Sequence, residues 1–348
     1  MKIKLSTLKS QVITDNPELL QALTNLYAFK IPGSEYSMAY KRRNWDGKQR
    51  FINNSGVFRT GLLDRVLEDL KKIECEPEIE YSHSIPSQMN HHQALSIPGF
   101  TYYDYQKELI NQGLNKMRGI IKSPTGSGKT LIMAGIIKSL ATKGRKMVVL
   151  FNAKQLLTQT YEFLTEDCNL KNVGICFGEG YVYGDIMLCT VQSLEKILDT
   201  HLKESEVLLV DECHEFSKGR TTLAAINSFP AAVYRLGFTA TPPSETIPKY
   251  NLEGAFGPVM EVANTVDLVN DGKLTKPIIQ LVNREYIANG ADENMSYDDV
   301  YNTYIVQNES RNNAIKDIVY EISKKRTARI LILTKSLDHG RIIEGLLR

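Results

Sequence analysis

The sequence has no paired cysteines, no apolar run of membrane length, no low-complexity tract and no internal repeat, and each absence removes a class of protein. The five cysteines, Cys75, Cys168, Cys176, Cys189 and Cys213, show no C-x-x-C spacing. An odd, scattered set excludes a disulfide frame or zinc site as the organising device and fits reduced thiols in a reducing cytoplasm. The opening MKIKLSTLKSQ has lysines but no apolar stretch of signal-peptide length. No later run approaches the roughly 18 apolar residues of a membrane span, so a soluble protein is expected. The net charge is only +2, so affinity for a polyanion must come from local clusters of basic residues rather than the total.

What is present is a globular balance: 42% hydrophobic and 24% charged residues in a chain of 348. That length exceeds what one hydrophobic core organises, and two or three domains are expected. Residues 1–80 mix short alternating stretches, such as Lys2–Leu5, with a helix-like segment at 61–71 whose Leu62, Leu63, Val66, Leu67 and Leu70 share one face. They read as a small α/β domain. Glu74–Pro98 decays into acidic, Ser, Pro and His residues, and a linker is expected over 81–98. Beyond it, residues 99–269 alternate short apolar runs (120–121, 147–151, 185–190, 207–210, 234–238) with helical patterns, including one from Lys129 to about Ala141. A parallel sheet buried on both faces produces such strands. From residue 270 a turn-rich segment precedes an expected strand at Ile278–Val282, a charged helical region around Arg311–Arg326, a strand at Ile330–Thr334 and a last helix.

The strongest local signal is Ser123-Pro-Thr125-Gly126-Ser127-Gly128-Lys129-Thr130, between a short apolar strand and a helical run. A loop this rich in glycine can aim successive backbone N–H groups at phosphate oxygens, with the helix N-terminus adding a favourable field. Lys129 would neutralise the β and γ phosphates, and Thr130 would offer its hydroxyl to Mg2+. The strict pattern has glycine where this chain has Ser123. Further on, Val207–Val210 runs into Asp211-Glu212-Cys213-His214. A strand ending in two carboxylates delivers them to the sheet edge where α/β ligand sites lie. Asp211 suits the Mg2+ shell, and Glu212 can orient and deprotonate a water.

These residues, followed by Thr239-Ala-Thr241, resemble motifs I, II and III of superfamily 2 helicases. Tyr105-Gln106 resembles the family's glutamine motif, and Thr190-Val-Gln192-Ser193 its strand-end motif that touches nucleic acid. The resemblance implies an α/β fold built on a RecA-like, P-loop motor domain using ATP and Mg2+. It also implies that Gln106 reads adenine, that His214, Thr239 and Thr241 relay the state of the γ-phosphate, and that Asn152, Thr190 and Gln192 contact the tracked strand.

Five basic residues surround the single tryptophan in Tyr40-Lys-Arg42-Arg43-Asn-Trp45-Asp-Gly-Lys48-Gln-Arg50. A loop that grips phosphates and stacks an aromatic ring has this composition, with Arg42, Arg43, Trp45 and Lys48 as DNA-binding candidates; so has a solvated hairpin with Trp45 in a core. A small domain with Asn-Trp-Asp-Gly ahead of such a motor resembles the phage UvsW-type branched-DNA helicases. That resemblance implies a monomeric DNA helicase or translocase on forks and junctions, in the host cytoplasm if phage-encoded. It also implies that residues 270–348 begin an incomplete second RecA-like domain whose late arginine motifs have no counterpart here, so the chain as given is expected to hydrolyse ATP poorly. An RNA helicase, a nucleotide-dependent DNA-binding module and a restriction motor subunit are the alternatives.

Overall fold

The computed structural model describes residues 1–81, 94–197, 199–217, 219–282, 295–324 and 329–348. The chain divides into two compact units, Met1–Lys276 and Pro277–Arg348. No described helix is long and apolar enough to cross a membrane, and all five cysteines are unpaired.

The first unit opens with a four-stranded sheet of β1 (Lys2–Leu5), β2 (Lys9–Ile13), β5 (Val57–Arg59) and β6 (Glu78–Tyr81), in the order β5-β2-β1-β6. A two-stranded ribbon pairs β3 (Ala28–Lys30) with β4 (Lys48–Arg50). Alternation in Lys-Ile-Lys-Leu buries Ile3 and Leu5. The helix Leu63–Lys72 lays Val66 and Leu70 on them, closing a core with Val12, Phe58 and Leu62. Asn16 caps the helix Pro17–Leu26, its side chain accepting from the N–H groups of Glu18 and Leu19. The expected linker is partly structured. Its first residue, Tyr81, ends β6, which runs parallel to β1 because Glu-Ile-Glu-Tyr can turn Ile79 inward and its acids outward. At its far end Ile97 is buried in the next core and Leu95 N–H donates to Ser139 Oγ at 3.2 Å. Residues 82–93 lie outside the described set.

An eight-stranded sheet follows: β7 (Arg118–Lys122), β8 (Met147–Phe151), β9 (Val173–Phe177), β10 (Gly180–Val182), β11 (Ile186–Thr190), β12 (Val207–Val210), β13 (Tyr234–Thr239) and β14 (Val259–Met260). The order is β10-β9-β11-β8-β12-β13-β7-β14, all neighbours parallel except β10 on β9. This is the RecA-like α/β architecture. β8, β11, β12 and β13 are buried along their whole length, as a sheet covered on both faces requires. β9, β10 and β14 were not anticipated: Gly174 interrupts the apolar run of β9, and the other two are only three and two residues long.

The amino-terminal module is locked to this sheet within the same unit. Arg65 pairs with Glu253 through Nη2–Oε1 at 2.8 Å and through its Nε, and its guanidinium lies 5.1 Å over the Tyr250 ring. Tyr250 packs among Tyr27, Phe29 and Phe51. Gly61 passes so close to the helix Thr246–Phe256 that a Cβ there would sit 2.1 Å from Glu253 O. Beneath these contacts Arg235 is completely buried, donating to the carbonyls of Ala255 (3.1 Å), Phe229 (3.2 Å) and Ile226. Its register partner Arg118 donates to Thr7 O at 2.8 Å and Ala255 O at 3.2 Å. Burial pushes the Arg118 pKa down to about 10. Burial, then the neighbouring charges of Arg118 and Arg59, lowers that of Arg235.

The second unit contains the helices Tyr297–Tyr301, Glu309–Ser323 and Leu337–Leu347 and a π-helical turn Asn302–Val306. His339 Nε2 meets Asn312 Oδ1 at 2.9 Å, and Asn312 Nδ2 donates to Val306 O at 2.8 Å. Neither expected strand forms: Ile278–Val282 and Ile330–Thr334 carry no strand pairing. The β conformation of an apolar segment needs a neighbouring edge to take its N–H and C=O groups, and here Ile278 is 95% and Leu333 85% exposed. The charged helix ends at Ser323; residues 325–328 lie outside the described set.

Candidate nucleotide site and nucleic-acid surfaces

The glycine-rich loop leaves β7 at Lys122 and enters the helix Lys129–Ala141. Gly126 and Gly128 take the left-handed φ values +83° and +80°. A Cβ at Gly128 would lie 2.5 Å from Gln106 Nε2. Ser123, where the strict pattern has glycine, is buried, and its Oγ lies 2.5 Å from Ser127 Oγ, tying the two ends of the loop together. Gln106 is only 3% exposed; its Nε2 donates to Ser127 O at 2.9 Å and its Oε1 accepts from Tyr103 N–H at 2.9 Å. Tyr105 OH donates to the same Ser127 carbonyl at 2.6 Å. The Tyr-Gln pair therefore braces the loop from behind. Thr125, Gly126 and Thr130 are exposed on its open side.

The strand-end carboxylates meet the loop. Lys129 Nζ is ion-paired with Glu212 and lies 3.2 Å from Asp211 Oδ1. Burial draws the Lys129 pKa down, but the charges of Asp211 and Glu212 outweigh it and hold it above the ordinary lysine value. Burial raises that of Asp211 against the pull of Lys129. Asp211 Oδ1 is buried without a well-directed hydrogen bond, which fits an oxygen that would ligate a hard divalent cation. Glu212 has φ +45°, a left-handed backbone that a side-chain-bearing residue adopts at a cost in strain. His214 Nδ1 is 2.9 Å from Thr239 Oγ1 and 3.3 Å from Glu212 Oε2. Thr241 N–H donates to Thr239 Oγ1 at 3.1 Å, and Ser123 N–H to Thr239 O at 3.1 Å. The structure thus brings the loop, the acids and the Thr-Ala-Thr segment to one sheet edge.

On the same edge, Asn152, Thr190 and Gln192 line a cleft of about 530 Å³ with Lys154, Phe177 and Gly178–Gly180. Thr190 Oγ1 donates to Ser193 Oγ at 3.0 Å, whereas Asn152 Nδ2 is buried without a partner. Lys154 and Phe177 escaped the sequence reading. The Lys154 ammonium lies 4.6 Å over the Phe177 ring, and the signal that could have found them was the Gly-x-Gly following an aromatic strand end.

A family model described as the type III restriction enzyme, res subunit, matches residues 99–244. The ATP-dependent DNA helicase uvsW of Enterobacteria phage T4 is 21% identical over 279 residues, 73% of this chain and 54% of that protein. The DNA 3'-5' translocase XPB2 of Sulfurisphaera tokodaii is 28% identical over 182 residues, 50% of this chain and 38% of that one. Two crystal structures of the phage T4 UvsW helicase superpose with a TM-score of 0.62 at 16% identity; one is covered to 99% by 75% of this chain, the other to 72% by all of it. In sequence the chain is similar to UvsW-type superfamily 2 helicases, and it shares their fold. It spans about half or less of the length of these two relatives.

In this UvsW-like chain the basic segment Tyr40–Arg50 connects the short helix Met38–Lys41 to β4. Glu35, Tyr40, Lys41, Arg43, Asn44, Trp45 and Asp46 line a cleft of about 620 Å³. Arg42 and Lys48 are exposed on the same segment. Trp45 is half-buried rather than in a core, its Nε1 donating to Lys48 O at 3.0 Å. Arg50 is not available to a phosphate in the same way: it forks onto Asp46, with Nη1–Oδ1 at 3.1 Å, and holds the Asp46 carboxyl down at about 2.

Proposed function

We propose that this chain is an ATP-driven DNA motor that translocates on and remodels branched DNA such as forks and four-way junctions. The observation that carries the reading is the Lys129–Asp211–Glu212 cluster at the sheet edge, with His214 and Thr239 joined to it. In the reaction, Lys129 would leave the two acids for the β and γ phosphates, and that exchange would free Glu212 to orient and deprotonate the attacking water. Asp211 and Thr130 would hold Mg2+, which when bound neutralises charge developing on the phosphate oxygens. His214 and Thr239 would sense whether Glu212 is engaged, because they share its hydrogen-bond network. Gln106 would adjust the loop floor through Ser127 and read adenine with its remaining donor capacity.

DNA rather than RNA is supported by the names of the two relatives, a DNA helicase and a DNA translocase. The cleft at Asn152, Thr190 and Gln192 would carry the tracked strand, and the segment with Arg42, Arg43, Trp45 and Lys48 would grip the duplex or junction through phosphates. Residues 277–348 would belong to a second RecA-like domain. ATP turnover measured with single-stranded, duplex, forked and four-way DNA, and with structured RNA, tests the reading. Greatest stimulation by branched DNA, lost in Lys129→Ala, is expected; preferential stimulation by RNA, or turnover indifferent to Lys129→Ala, would overturn it.

A further inference from the structure

A short chain of side-chain hydrogen bonds joins the basic segment to the catalytic edge, and the nucleotide chemistry does not require it. Gln49 lies in β4 between Lys48 and Arg50. Its Nε2 donates to Asn251 Oδ1 at 2.9 Å. Asn251 sits inside the helix Thr246–Phe256, is 7% exposed, and donates through Nδ2 to Ser217 O at 3.1 Å. Ser217 closes the 3₁₀ turn Cys213–Ser217 that follows the two acids, and its Oγ donates to His214 O at 2.6 Å. His214 completes the path to Thr239 and Glu212.

The chemistry of each link fixes the next. A backbone carbonyl only accepts, so Ser217 O sets the orientation of the Asn251 amide with its nitrogen toward the turn and its oxygen toward β4. That buried oxygen needs a donor from β4, and Gln49 supplies it. The segment that would move Gln49 is itself stiff, because Arg50 is forked onto Asp46 and Trp45 is bonded to Lys48 O. Nearby, the Arg65–Glu253 pair fixes the module to the same helix, so a displacement of β4 has to be felt at Asn251.

We propose that Gln49 and Asn251 are positioning residues that couple DNA on the Tyr40–Arg50 segment to the geometry of the ATP-hydrolysing edge. This rests on the motor reading above. By linkage, such coupling appears as a DNA-induced change in nucleotide affinity. The test measures Kd for a fluorescent ATP analogue on the full chain, with and without saturating forked DNA, for wild type, Gln49→Met and Gln49→Lys. Methionine keeps length without a donor; lysine keeps a donor. Gln49→Met should shrink the DNA-induced change about two- to tenfold, the range set by one neutral hydrogen bond, with DNA-free nucleotide affinity and DNA affinity unchanged and Tm lowered only by the one unpaired Asn251 oxygen; Gln49→Lys should retain the wild-type change. An undiminished change in Gln49→Met, a loss in both variants alike, or a weakened DNA-free affinity with a lowered Tm would overturn the coupling. A wild type that binds nucleotide and DNA without any mutual effect would also overturn it and leave the motor reading standing. Absence of nucleotide binding would remove both.

Discussion

Removing Lys129 should do more than abolish nucleotide binding: it should destabilise the protein at neutral pH by an electrostatic route that acid relieves. Lys129 is the cation between Asp211 and Glu212, with its side chain 19% and that of Asp211 10% exposed. Deleting one partner of a fully buried ion pair costs about 3–5 kcal/mol. This cluster is only partly buried, so Lys129→Ala is expected to cost about 2 kcal/mol, or about 4–8 °C in Tm for a unit of this size. The pH dependence follows from Asp211. Burial already holds its folded-state pKa above the ordinary carboxylate value, and loss of Lys129 raises it further. The folded state then binds the proton more tightly than the unfolded state. The deficit is therefore full above the raised pKa and shrinks as pH falls through it toward the ordinary carboxylate value. Thermal melts of wild type and Lys129→Ala from pH 8 down to the ordinary carboxylate range, with Lys129→Ala/Asp211→Asn as the second arm, measure it. A deficit that is the same at both ends of that range, or that Asp211→Asn leaves in place, would refute the electrostatic account.

Other substitutions probe neighbouring parts of the site. Gly128→Ala combines about 1–2 kcal/mol of left-handed backbone strain with a Cβ pressed on Gln106 Nε2; nucleotide affinity should fall at least about tenfold, and a titration within twofold of wild type would contradict the geometry. Lys154→Ala should lower the slope of log K against log salt for single-stranded DNA by about one phosphate contact; an unchanged slope would show that Lys154 meets no phosphate. Arg235→Met leaves the carbonyls of Ile226 and Phe229 without their donor and should cost about 2–4 kcal/mol in a urea titration, whereas a neutral result would show that the buried guanidinium is dispensable.

The parts legible in the sequence were those whose chemistry is local. Ser123–Thr130 declares itself because consecutive residues build the loop, and Asp211-Glu212 because a four-residue apolar strand leads directly into them. The helix Lys129–Ala141 begins and ends where its pattern does. Other features depend on distant partners. The seating of the amino-terminal module needs Gly61 against Glu253 and Thr7 against Arg118, pairs that no local pattern relates. β6 was hidden in an acidic stretch because only Ile79 faces inward. The opposite error occurred at Ile278–Val282 and Ile330–Thr334, where apolar β-branched runs have the composition of strands but no described neighbour to pair with. Propensity states what a segment could bury, and pairing decides whether it does.

The helix Thr246–Phe256 shows why the amino-terminal module and the eight-stranded sheet form one unit. One side receives the module: Ile247 and Tyr250 pack against its core, Glu253 takes Arg65, and its carbonyls leave no room for a side chain at Gly61. Its interior contributes Leu252, Ala255 and Phe256 to the core under the eight-stranded sheet, and its last turn accepts from Arg118 and Arg235, cations placed where the helix dipole is negative. Those two arginines occupy paired positions on β7 and β13, the strands whose other ends carry the glycine-rich loop and the Thr239–Thr241 segment. A module held only by surface ion pairs could drift at little cost. One held by buried guanidinium groups, an aromatic cluster and a glycine contact cannot move without disturbing both strands, so force on the basic segment would reach the sheet edge carrying Lys129, Asp211 and Glu212 through the sheet as well as through Gln49.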